Sequence, residues 1–263
     1  MRQTNDDFSG KKILITGGTK GLGLATAKLF ARSGGELFVS YRSDREGALK
    51  AADEIRACGG SCELVEADLA EDGGIDKVFD AVEAKTKRLD VYVHNAAATA
   101  FKDLLDIKAH HVDKTMNITI KGFILAAQRC VKLMDGGGAI VTVSGMDTLR
   151  AVPRHGLLGA AKAGLETLTG YFAHELASRG IRVNGVNPGF LATDSTRKYL
   201  GDFFDAFNKG FARTVPLNRE PALEEVGEVI VFLASPRASW IVGQTLCVDG
   251  GLDFTMQIAP ATD

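Results

Sequence analysis

The apolar positions of the chain repeat with two different periods. Short runs of β-branched residues, such as KILIT at Lys12–Thr16, are typical of buried strands, whereas apolar residues three and four positions apart, as in Ile75–Lys87, predict amphipathic helices. Strands are predicted at residues 12–16, 36–41, 62–66, 89–94, 139–144, 181–186 and 245–248. Helices are predicted at residues 22–33, 45–57, 75–87, 110–134, 153 to about 178, and 223–234, and Pro153 suits the first position of its helix.

This alternation of strand and helix predicts the fold class. Strand–helix–strand units place successive strands parallel in one sheet, with right-handed crossovers. Seven strands on this plan form a doubly wound, Rossmann-like parallel sheet of the α/β class. The chain shows neither a linker nor an internal repeat, so we expect residues 1–263 to form a single domain.

Composition and charge exclude several classes of function. The net charge is −2 and the pI about 6.2, so no basic field would attract nucleic acid. No apolar run approaches the ~20 residues that cross a bilayer, and the first residues lack the apolar core of a secretory signal. The four cysteines are scattered and form no metal-binding pattern. We therefore expect a cytoplasmic protein without a membrane partner or a metal.

The chain contains 30 glycines, a high content that needs a structural explanation. After the first predicted strand the sequence reads TGGTKGLG at Thr16–Gly23 and leads directly into a helix. Glycine lets the backbone turn sharply and approach a pyrophosphate, while the helix N-terminus offers free N–H groups and a positive dipole end. The strand–turn–helix context favours a dinucleotide-binding loop, here with the spacing G-x-x-x-G-x-G.

This spacing, together with further segments, resembles the short-chain dehydrogenase/reductase family from Lys11 to Leu252. The further segments are ADL at 67–69, HNAA at 94–97, MNI around Asn117, NPG at 187–189 followed by Thr193, and the C-terminal GQT and DGG at 243–251. The resemblance implies a nicotinamide dinucleotide cofactor. The residues assigned to it are Gly17, Thr19, Lys20, Gly21, Leu22, Gly23, Tyr41, Arg42, Ser43, Asp68, Leu69, Asn95, Ala96, Lys162, Pro188, Gly189 and Thr193.

The end of the second predicted strand bears on the choice between NADP and NAD. Folds that bind NAD usually place an acidic residue there to hold the ribose 2′-OH. Here the segment Val39–Ser43 reads VSYRS and contains no acid, and Arg42 and Lys20 suit a 2′-phosphate instead. We therefore expect NADP(H) rather than NAD(H), although both cations could simply be solvated.

The catalytic residues that the resemblance implies are only partly present. The usual site of the family is Ser, Tyr and Lys, with Tyr four residues before Lys and Ser thirteen before Tyr. Lys162 matches the Lys, but Leu158 stands at the position of Tyr and Gly145 at that of Ser. Ser144, adjacent to the latter position, is a candidate catalytic residue, although a continuing strand would point it to the other face.

One branch of the family, the enoyl-acyl-carrier-protein reductases, places Tyr seven residues before Lys. The string RAVPRHGLLGAAKA at Arg150–Ala163 resembles that branch and puts His155 at the position of Tyr. Residues seven apart lie within ~20° on one helix face. Hydride transfer leaves charge on an oxygen, to which an imidazole N–H could donate. A nearby Lys162 ammonium disfavours the imidazolium, so we expect a neutral donor.

Other residues have roles implied by the resemblance and simpler alternatives. Lys162 would hold the nicotinamide ribose hydroxyls, and Asn117 would serve a proton relay rather than act as a polar spacer on its helix. Tyr199 is an alternative acid, and His155 could be only a surface residue in the first turn of a helix. His94 is expected to brace the end of its strand.

Aromatic residues are concentrated after the sixth predicted strand. The resemblance implies a substrate lid at about 190–216, and aromatic lining favours an apolar or acyl substrate. An ordinary packed stripe on a helix is an equally good explanation. The aromatic residues are Phe190, Tyr199, Phe203, Phe204, Phe207 and Phe211.

Three functions are consistent with the sequence. The leading hypothesis is an NADP(H)-dependent reductase of a C=C or C=O in an apolar or acyl-thioester substrate, either a small molecule or carrier-bound, with His155 in place of the usual Tyr. The second is a ketoreductase with a displaced acid. The third is a cofactor-binding protein that has lost redox chemistry. The resemblance also implies a homotetramer.

Overall fold

Seven parallel strands form one sheet at the centre of the molecule. The computed structural model describes residues 7–255, apart from the side chains of residues 194, 195 and 207. The strands are β1 (Lys12–Ile15), β2 (Glu36–Tyr41), β3 (Ser61–Glu66), β4 (Val91–His94), β5 (Gly138–Val143), β6 (Ile181–Asn187) and β7 (Thr245–Cys247). Their spatial order is β3-β2-β1-β4-β5-β6-β7. The predicted doubly wound, seven-stranded parallel sheet is confirmed.

Burial on both faces explains why the strands read as continuous apolar runs. Ile13, Leu14 and Ile15 of β1 are fully buried, although alternate residues point to opposite faces. Ile15 pairs in register with Val39 of β2 and with Val93 of β4. The central strand is therefore covered by a helical layer on either side.

Nine α-helices lie between and after the strands in the described residues 7–255. They are α1 (Gly21–Arg32), α2 (Arg45–Ala57), α3 (Gly74–Glu83), α4 (Ala109–Met116), α5 (Gly122–Leu133), α6 (Gly156–Leu176), α7 (Asp194–Leu200), α8 (Phe204–Thr214) and α9 (Leu223–Ala234). One core contains apolar residues of α1, α2 and α9, and the other contains those of α3, α5 and α6. The two cores lie on opposite faces of the sheet.

The helices α7 and α8 lie in a stretch for which no helix was predicted, and two predicted helices have different bounds in the structure. The stretch predicted as one helix over 110–134 is divided by a π-helical turn at Asn117–Lys121, which joins α4 to α5. The helix predicted from Pro153 begins only at Gly156, because Arg154 has φ +59° and His155 is the N-cap residue. A left-handed residue cannot continue an α-helix, so Pro153 belongs to the preceding loop.

The strand order fixes where a ligand would bind. Neighbours β1 and β4 are followed by helices on opposite faces of the sheet, so the chain leaves a crevice between the loops at their carboxyl ends. In open α/β sheets this crevice is the usual place for a dinucleotide.

Candidate active site

Glycines after β1 bring the loop close to its neighbours. A Cβ added to Gly17, which has φ +65°, would lie 3.1 Å from the Cα of Ala96. A Cβ added to Gly23 would lie 2.6 Å from Asn95 Nδ2 and 2.9 Å from the Cα of Gly18. The first turn of α1 is thus packed directly on the loops, as the dinucleotide-binding hypothesis requires.

Side-chain hydrogen bonds connect the loop after β1 to the loop after β4. Asn95 Nδ2 donates to the carbonyl oxygens of Thr16 and Gly17, both at 3.0 Å. The backbone amides of Asn95 and Ala96 donate to Thr16 Oγ1 at 3.2 Å. These hydrogen bonds hold the two loops against each other on either side of the crevice.

The N-terminus of α1 has the form of an anion site. Its N-cap residue, Lys20, is extended and makes no side-chain cap, so the first amides of the helix have no capping side chain. Thr193 reaches this loop from the start of α7: its Cγ2 lies 3.5 Å from the position of a Cβ on Gly21. These residues fit a cofactor pyrophosphate.

The adenosine side of the crevice carries an exposed arginine just after β2. Arg42 is exposed and has no ion pair among the described residues. Lys20 instead forms an ion pair with Asp44, whose carboxylate also caps α2 by accepting from the amide of Gly47 at 2.9 Å. Arg42 is therefore better placed than Lys20 to meet an added phosphate.

The remaining residues assigned to the cofactor lie along the same edge of the sheet. The hydroxyl of Tyr41 donates to Glu66 Oε2 at 3.0 Å, and Asp68 Oδ1 accepts from the amide of Ala70 at 2.9 Å. Ser43 accepts through its carbonyl from the amide of Arg45. Buried residues at this edge are Thr19, Leu22, Leu69 and Pro188, and Gly189 has φ +64°.

Lys162 is buried behind the carboxyl end of β5. Only 4% of its surface is exposed, and its Nζ donates to the carbonyl oxygen of Val143 at 2.5 Å. Burial lowers the pKa of this ammonium from 10.5 to about 8, opposed by the carboxylates of Asp147 and Glu166. The side chain is held in one orientation rather than solvated.

A polar cluster that the sequence did not identify surrounds Glu166. The hydroxyl of Ser144 donates to Glu166 Oε1, and that of Thr148 donates to the same oxygen at 3.0 Å. Asn187 Nδ2 donates to the carbonyl of Gly145 at 2.9 Å and to Glu166 Oε1 at 3.3 Å. Ser144, predicted as catalytic, thus has its hydroxyl engaged by a carboxylate.

A second acid in this region, Asp147, was also missed. It lies in a short 3₁₀ turn (Met146–Thr148), and its Oδ1 is 2.8 Å from the position of a Cβ on Gly145. Its Oδ2 is buried without a hydrogen-bond partner among the described residues. Burial raises the pKa of Asp147, while the charges of His155 and Lys162 lower it. The sequence signal that could have identified Asp147 is its place two positions after Gly145, the glycine that stands where a serine was expected.

His155 belongs to a cluster of three rings. Its ring centroid is 4.9 Å from that of Phe101 and 4.4 Å from that of Tyr199. Its Nδ1 lies 3.1 Å from the carbonyl oxygen of Pro153, which also accepts from the Tyr199 hydroxyl at 2.9 Å. Tyr199, the alternative acid, is therefore beside His155, with its hydroxyl directed to the backbone.

The bond to Pro153 decides which tautomer His155 adopts. A carbonyl oxygen only accepts, so Nδ1 must carry a hydrogen. In the neutral ring Nε2 then has no hydrogen, and it becomes a donor only in the imidazolium. A neutral ring with this tautomer would offer Nε2 as an acceptor, and the expectation of a neutral donor stays a prediction.

Asn117 lies in the π-helical turn. Its side-chain nitrogen donates to the carbonyl of Ala70 at 3.1 Å, and its own carbonyl accepts from the amide of Gly122. The side chain connects this turn to the loop after β3, and its role in a proton relay stays a prediction.

His94 braces the end of β4, as expected. Its Nδ1 lies 2.8 Å from the Tyr92 hydroxyl, and its Nε2 lies 3.2 Å from the carbonyl of Thr119. Burial, together with the charge of Lys162, lowers the pKa of His94 to about 3, so the ring is neutral. Its hydrogen bonds are satisfied inside the protein.

A cavity of about 360 Å³ lies beside His155 and Asp147. It is lined by the segment 102–104 and by residues between 147 and 160, among them Asp147 and His155. Gly159 allows its floor to form, since a Cβ there would lie 2.6 Å from the carbonyl oxygen of Asp147. The cavity has room for a small acyl group.

The aromatic segment after β6 contributes less to this cavity than expected. Phe190 and Phe211 pack against each other with ring centroids 4.6 Å apart, Phe204 is buried, and Phe203 is 77% exposed. None of these four is among its lining residues. Phe204 and Phe211 of α8 are consistent with the packed-stripe explanation, and Phe190 packs on Phe211 from outside the helix, while the side chain of Phe207 lies outside the described part.

Residues 7–255 contain neither a candidate metal site nor a candidate membrane-spanning helix. No group of three or more His, Cys, Asp or Glu side chains in this range is arranged to hold a metal ion. No helix described here combines the length and apolar character needed to cross a membrane.

Comparisons with known proteins agree with the geometry. Residues 17–253 match the family model described as enoyl-(acyl carrier protein) reductase. The chain is 39% identical over 241 residues to the 1-cyclohexenylcarbonyl-CoA reductase of Streptomyces collinus, covering 92% of this chain and 86% of that protein. It is 35% identical over 242 residues to the 3-oxoacyl-[acyl-carrier-protein] reductase of Synechocystis sp., covering 91% and 95%.

A solved structure extends the comparison to the fold. A short-chain dehydrogenase from Burkholderia cenocepacia J2315 in complex with NADP superimposes with a TM-score of 0.85 at 29% identity, covering 93% of this chain and 98% of that one. The chain belongs to the short-chain dehydrogenase/reductase family of NAD(P)-dependent oxidoreductases.

Proposed function

We propose that the protein reduces the C=C bond of an α,β-unsaturated acyl thioester with NADPH, using His155 as the proton donor. The observation that carries the proposal is the placement of His155: it lines the cavity seven residues before Lys162, while Leu158 and Gly145 leave the usual positions without a hydroxyl. The 39% identical relative is a reductase of an alicyclic enoyl-CoA, which supports this substrate class.

The cofactor, when bound, supplies a hydride. Lys162, which is buried, would hold the nicotinamide ribose hydroxyls, and its ammonium would place a positive charge near the reacting atoms. The loop at Gly17–Gly23 and the start of α1 hold the pyrophosphate. Each of these groups is fixed by the fold before a ligand enters, so little reorganisation is needed.

His155 provides the proton. Its Nδ1–H is held by the carbonyl of Pro153, which leaves Nε2 available to a ligand. In the imidazolium, Nε2–H donates to the thioester carbonyl oxygen as negative charge develops there, and the ring is left neutral. An enolate oxygen is less basic than the alkoxide formed from a ketone, so a donor of this acidity is sufficient.

The choice of NADPH rests on the end of β2. Arg42 is exposed there without an ion pair among the described residues, and no acid in that strand end repels a 2′-phosphate. The structural relative in complex with NADP is consistent with this choice. Lys20 contributes less than the sequence suggested, since Asp44 already neutralises it.

Turnover of enoyl thioesters tests the proposal. Purified protein is mixed with NADPH and either crotonyl-CoA or 1-cyclohexenylcarbonyl-CoA, and NADPH absorbance is followed. We expect consumption that falls on the order of a hundredfold in His155→Phe, which keeps a ring against Phe101. NADPH binding without turnover of any conjugated thioester would count against the proposal.

A ketoreductase is the second candidate, favoured by the position of Tyr199. Its ring lies 4.4 Å from that of His155, which lines the cavity, and its hydroxyl donates to the carbonyl oxygen of Pro153. Here Tyr199 would replace His155 as the acid, and 3-oxoacyl thioesters would be the substrates, as for the relative from Synechocystis. Reduction of acetoacetyl-CoA that is lost in Tyr199→Phe and kept in His155→Phe would select this candidate.

We also propose that the protein assembles as a homotetramer. Tyr171 of α6 is 66% exposed and Trp240 is 97% exposed in the single chain, so both rings are available for contact with other subunits. Sedimentation equilibrium of the wild type tests this, and a monomer at micromolar concentration would contradict it.

A further inference from the structure

Aromatic rings from three separate segments of the chain meet at His155. The ring centroid of Phe101 lies 4.9 Å from that of His155 and 4.9 Å from that of Tyr199, and the centroids of His155 and Tyr199 are 4.4 Å apart. Phe101 lies in the loop after β4, His155 is the N-cap residue of α6, and Tyr199 belongs to α7. Each ring therefore contacts both of the others.

Hydrogen bonding alone does not fix the plane of the His155 imidazole. Its Nδ1 lies 3.1 Å from the carbonyl oxygen of Pro153, and the ring makes no other hydrogen bond among the described residues. The terminal torsion of a histidine side chain has broad minima, so a ring held at one atom can still turn about that contact. The packed rings must supply the remaining constraint.

The two neighbouring rings contact the imidazole at different angles. Tyr199 meets it at an interplanar angle of 86°, whereas Phe101 meets it at 51°. Both centroid distances are at the short end of the range for aromatic pairs, so there is little free space between the rings. Turning the imidazole in place would bring its edge into Phe101 or Tyr199, and the two rings together therefore restrict its orientation.

The loop that carries Phe101 is anchored to the cofactor crevice. Asn95 Nδ2, at the start of this loop, donates to the carbonyl oxygen of Thr16 at 3.0 Å. Further along the loop, the hydroxyl of Thr99 accepts a hydrogen bond from the hydroxyl of Thr115 in α4 at 3.3 Å. Phe101 therefore connects the imidazole to the loops that would hold the cofactor.

Phe101 contacts His155 without lining the cavity. His155 is among the residues around this cavity, whereas Phe101 and Tyr199 are not. A side chain in this place can influence a reaction in the cavity through the histidine that it packs against. The hydroxyl of Tyr199 is bound to the carbonyl oxygen of Pro153, so Phe101 is the neighbour that acts through ring packing alone.

We propose that Phe101 is a positioning residue that holds the imidazole of His155 in the orientation for proton transfer to the substrate; the inference rests on the role proposed above for His155. Transfer requires Nε2 to point toward the substrate, and a misdirected donor lowers the rate of the chemical step rather than the affinity for the cofactor.

Steady-state kinetics with crotonyl-CoA and NADPH is the first test. In Phe101→Leu we expect kcat to fall on the order of tenfold with KM for NADPH nearly unchanged, because the imidazole loses one of its two packed rings. Phe101→Tyr keeps a ring at this position and should restore kcat to within a few-fold of the wild type. Phe254→Leu, which replaces a phenylalanine that is 85% exposed, is the matched control and should leave kcat unchanged.

A double-mutant cycle separates positioning from a merely structural role. Phe101→Leu is combined with His155→Phe, and kcat is compared with that of each single variant. If Phe101 acts through His155, its substitution should cause no further loss once the histidine is gone. A loss on the order of tenfold in both backgrounds would show that Phe101 supports the site independently of His155 and would overturn the inference.

NMR provides a readout that requires no turnover. The chain contains five histidines, so isotopic labelling of histidine gives few signals, and that of His155 is assigned by its disappearance in His155→Phe. In the wild type we expect nuclear Overhauser effects between the imidazole and the ring of Phe101. In Phe101→Leu the His155 signal should shift, because the ring current of Phe101 is lost.

The NMR measurement also distinguishes this inference from the proposed function. If the wild type reduces no enoyl thioester, the proposed function fails, while the spectra still decide whether Phe101 holds the imidazole. Absence of Overhauser effects between the two rings in the wild type would overturn the inference without any variant, and so would an unshifted His155 signal in Phe101→Leu.

Discussion

At the residue scale, the position of a side chain in a motif suggests its role, but the atoms around that side chain determine it. The sequence places His155 at the right distance from Lys162, but it does not reveal that Pro153 fixes the Nδ1 hydrogen and that only the imidazolium can donate. Asp147 was missed because its contact with position 145 arises from the 3₁₀ turn at Met146–Thr148. A motif predicts which residue type occupies a position, whereas the local backbone conformation determines which atoms that residue contacts.

Lys162 provides a prediction about stability. Its folded pKa of about 8 lies below its ordinary 10.5, so between these values the unfolded chain binds more protons than the folded one. The unfolding free energy of the wild type should therefore rise with pH in this window, by about 1 kcal/mol per unit relative to Lys162→Met. Denaturant unfolding of both proteins from about pH 8 to about pH 10 measures it; parallel curves would contradict the buried ammonium.

Arg42 provides a prediction about cofactor choice. In Arg42→Gln we expect KM for NADPH to rise about tenfold with KM for NADH unchanged, because a charge-assisted bond to a 2′-phosphate is lost. Arg45→Gln removes another exposed cation three residues away and is the matched control. An equal change for both cofactors would rule out a contact with the phosphate.

At the element scale, nearly all strands and helices followed from periodicity, with ends displaced by a few residues. The exceptions have local causes. The π-helical turn at Asn117–Lys121 lies inside an unbroken helical pattern, and it depends on tertiary contacts such as that of Asn117 with Ala70. The late start of α6 depends on the left-handed Arg154, which no apolar pattern reports.

The junction of the loop with α1 yields a prediction at this scale. In Gly23→Ala the new methyl group would meet Asn95 Nδ2 and the backbone of Gly18, so the loop must shift. We expect affinity for NADPH, measured by fluorescence titration, to fall on the order of tenfold, with a loss of about 1–3 kcal/mol in stability. Gly170→Ala, in α6 with nothing within 4 Å, should bind NADPH as the wild type does.

At the scale of the whole molecule, strand order brings the separate motifs together. Loops after β1 and β4 meet because these strands are neighbours, although about 80 residues separate them, as the hydrogen bonds of Thr16 with Asn95 across 79 positions show. The sequence predicted the doubly wound seven-stranded parallel sheet, which the comparisons confirm, but not the strand order that brings these two loops together. The substrate and the oligomeric state depend on surfaces that vary most among members of a family, so the shared motifs could not predict them.

The central claim is that the reductase uses His155 in place of the family's tyrosine. The most direct measurement compares kcat for an enoyl-CoA with NADPH in wild type, His155→Phe and Tyr199→Phe. We expect kcat to fall on the order of a hundredfold in His155→Phe with KM for NADPH nearly unchanged, and at most a few-fold in Tyr199→Phe. Wild-type turnover in His155→Phe would contradict it.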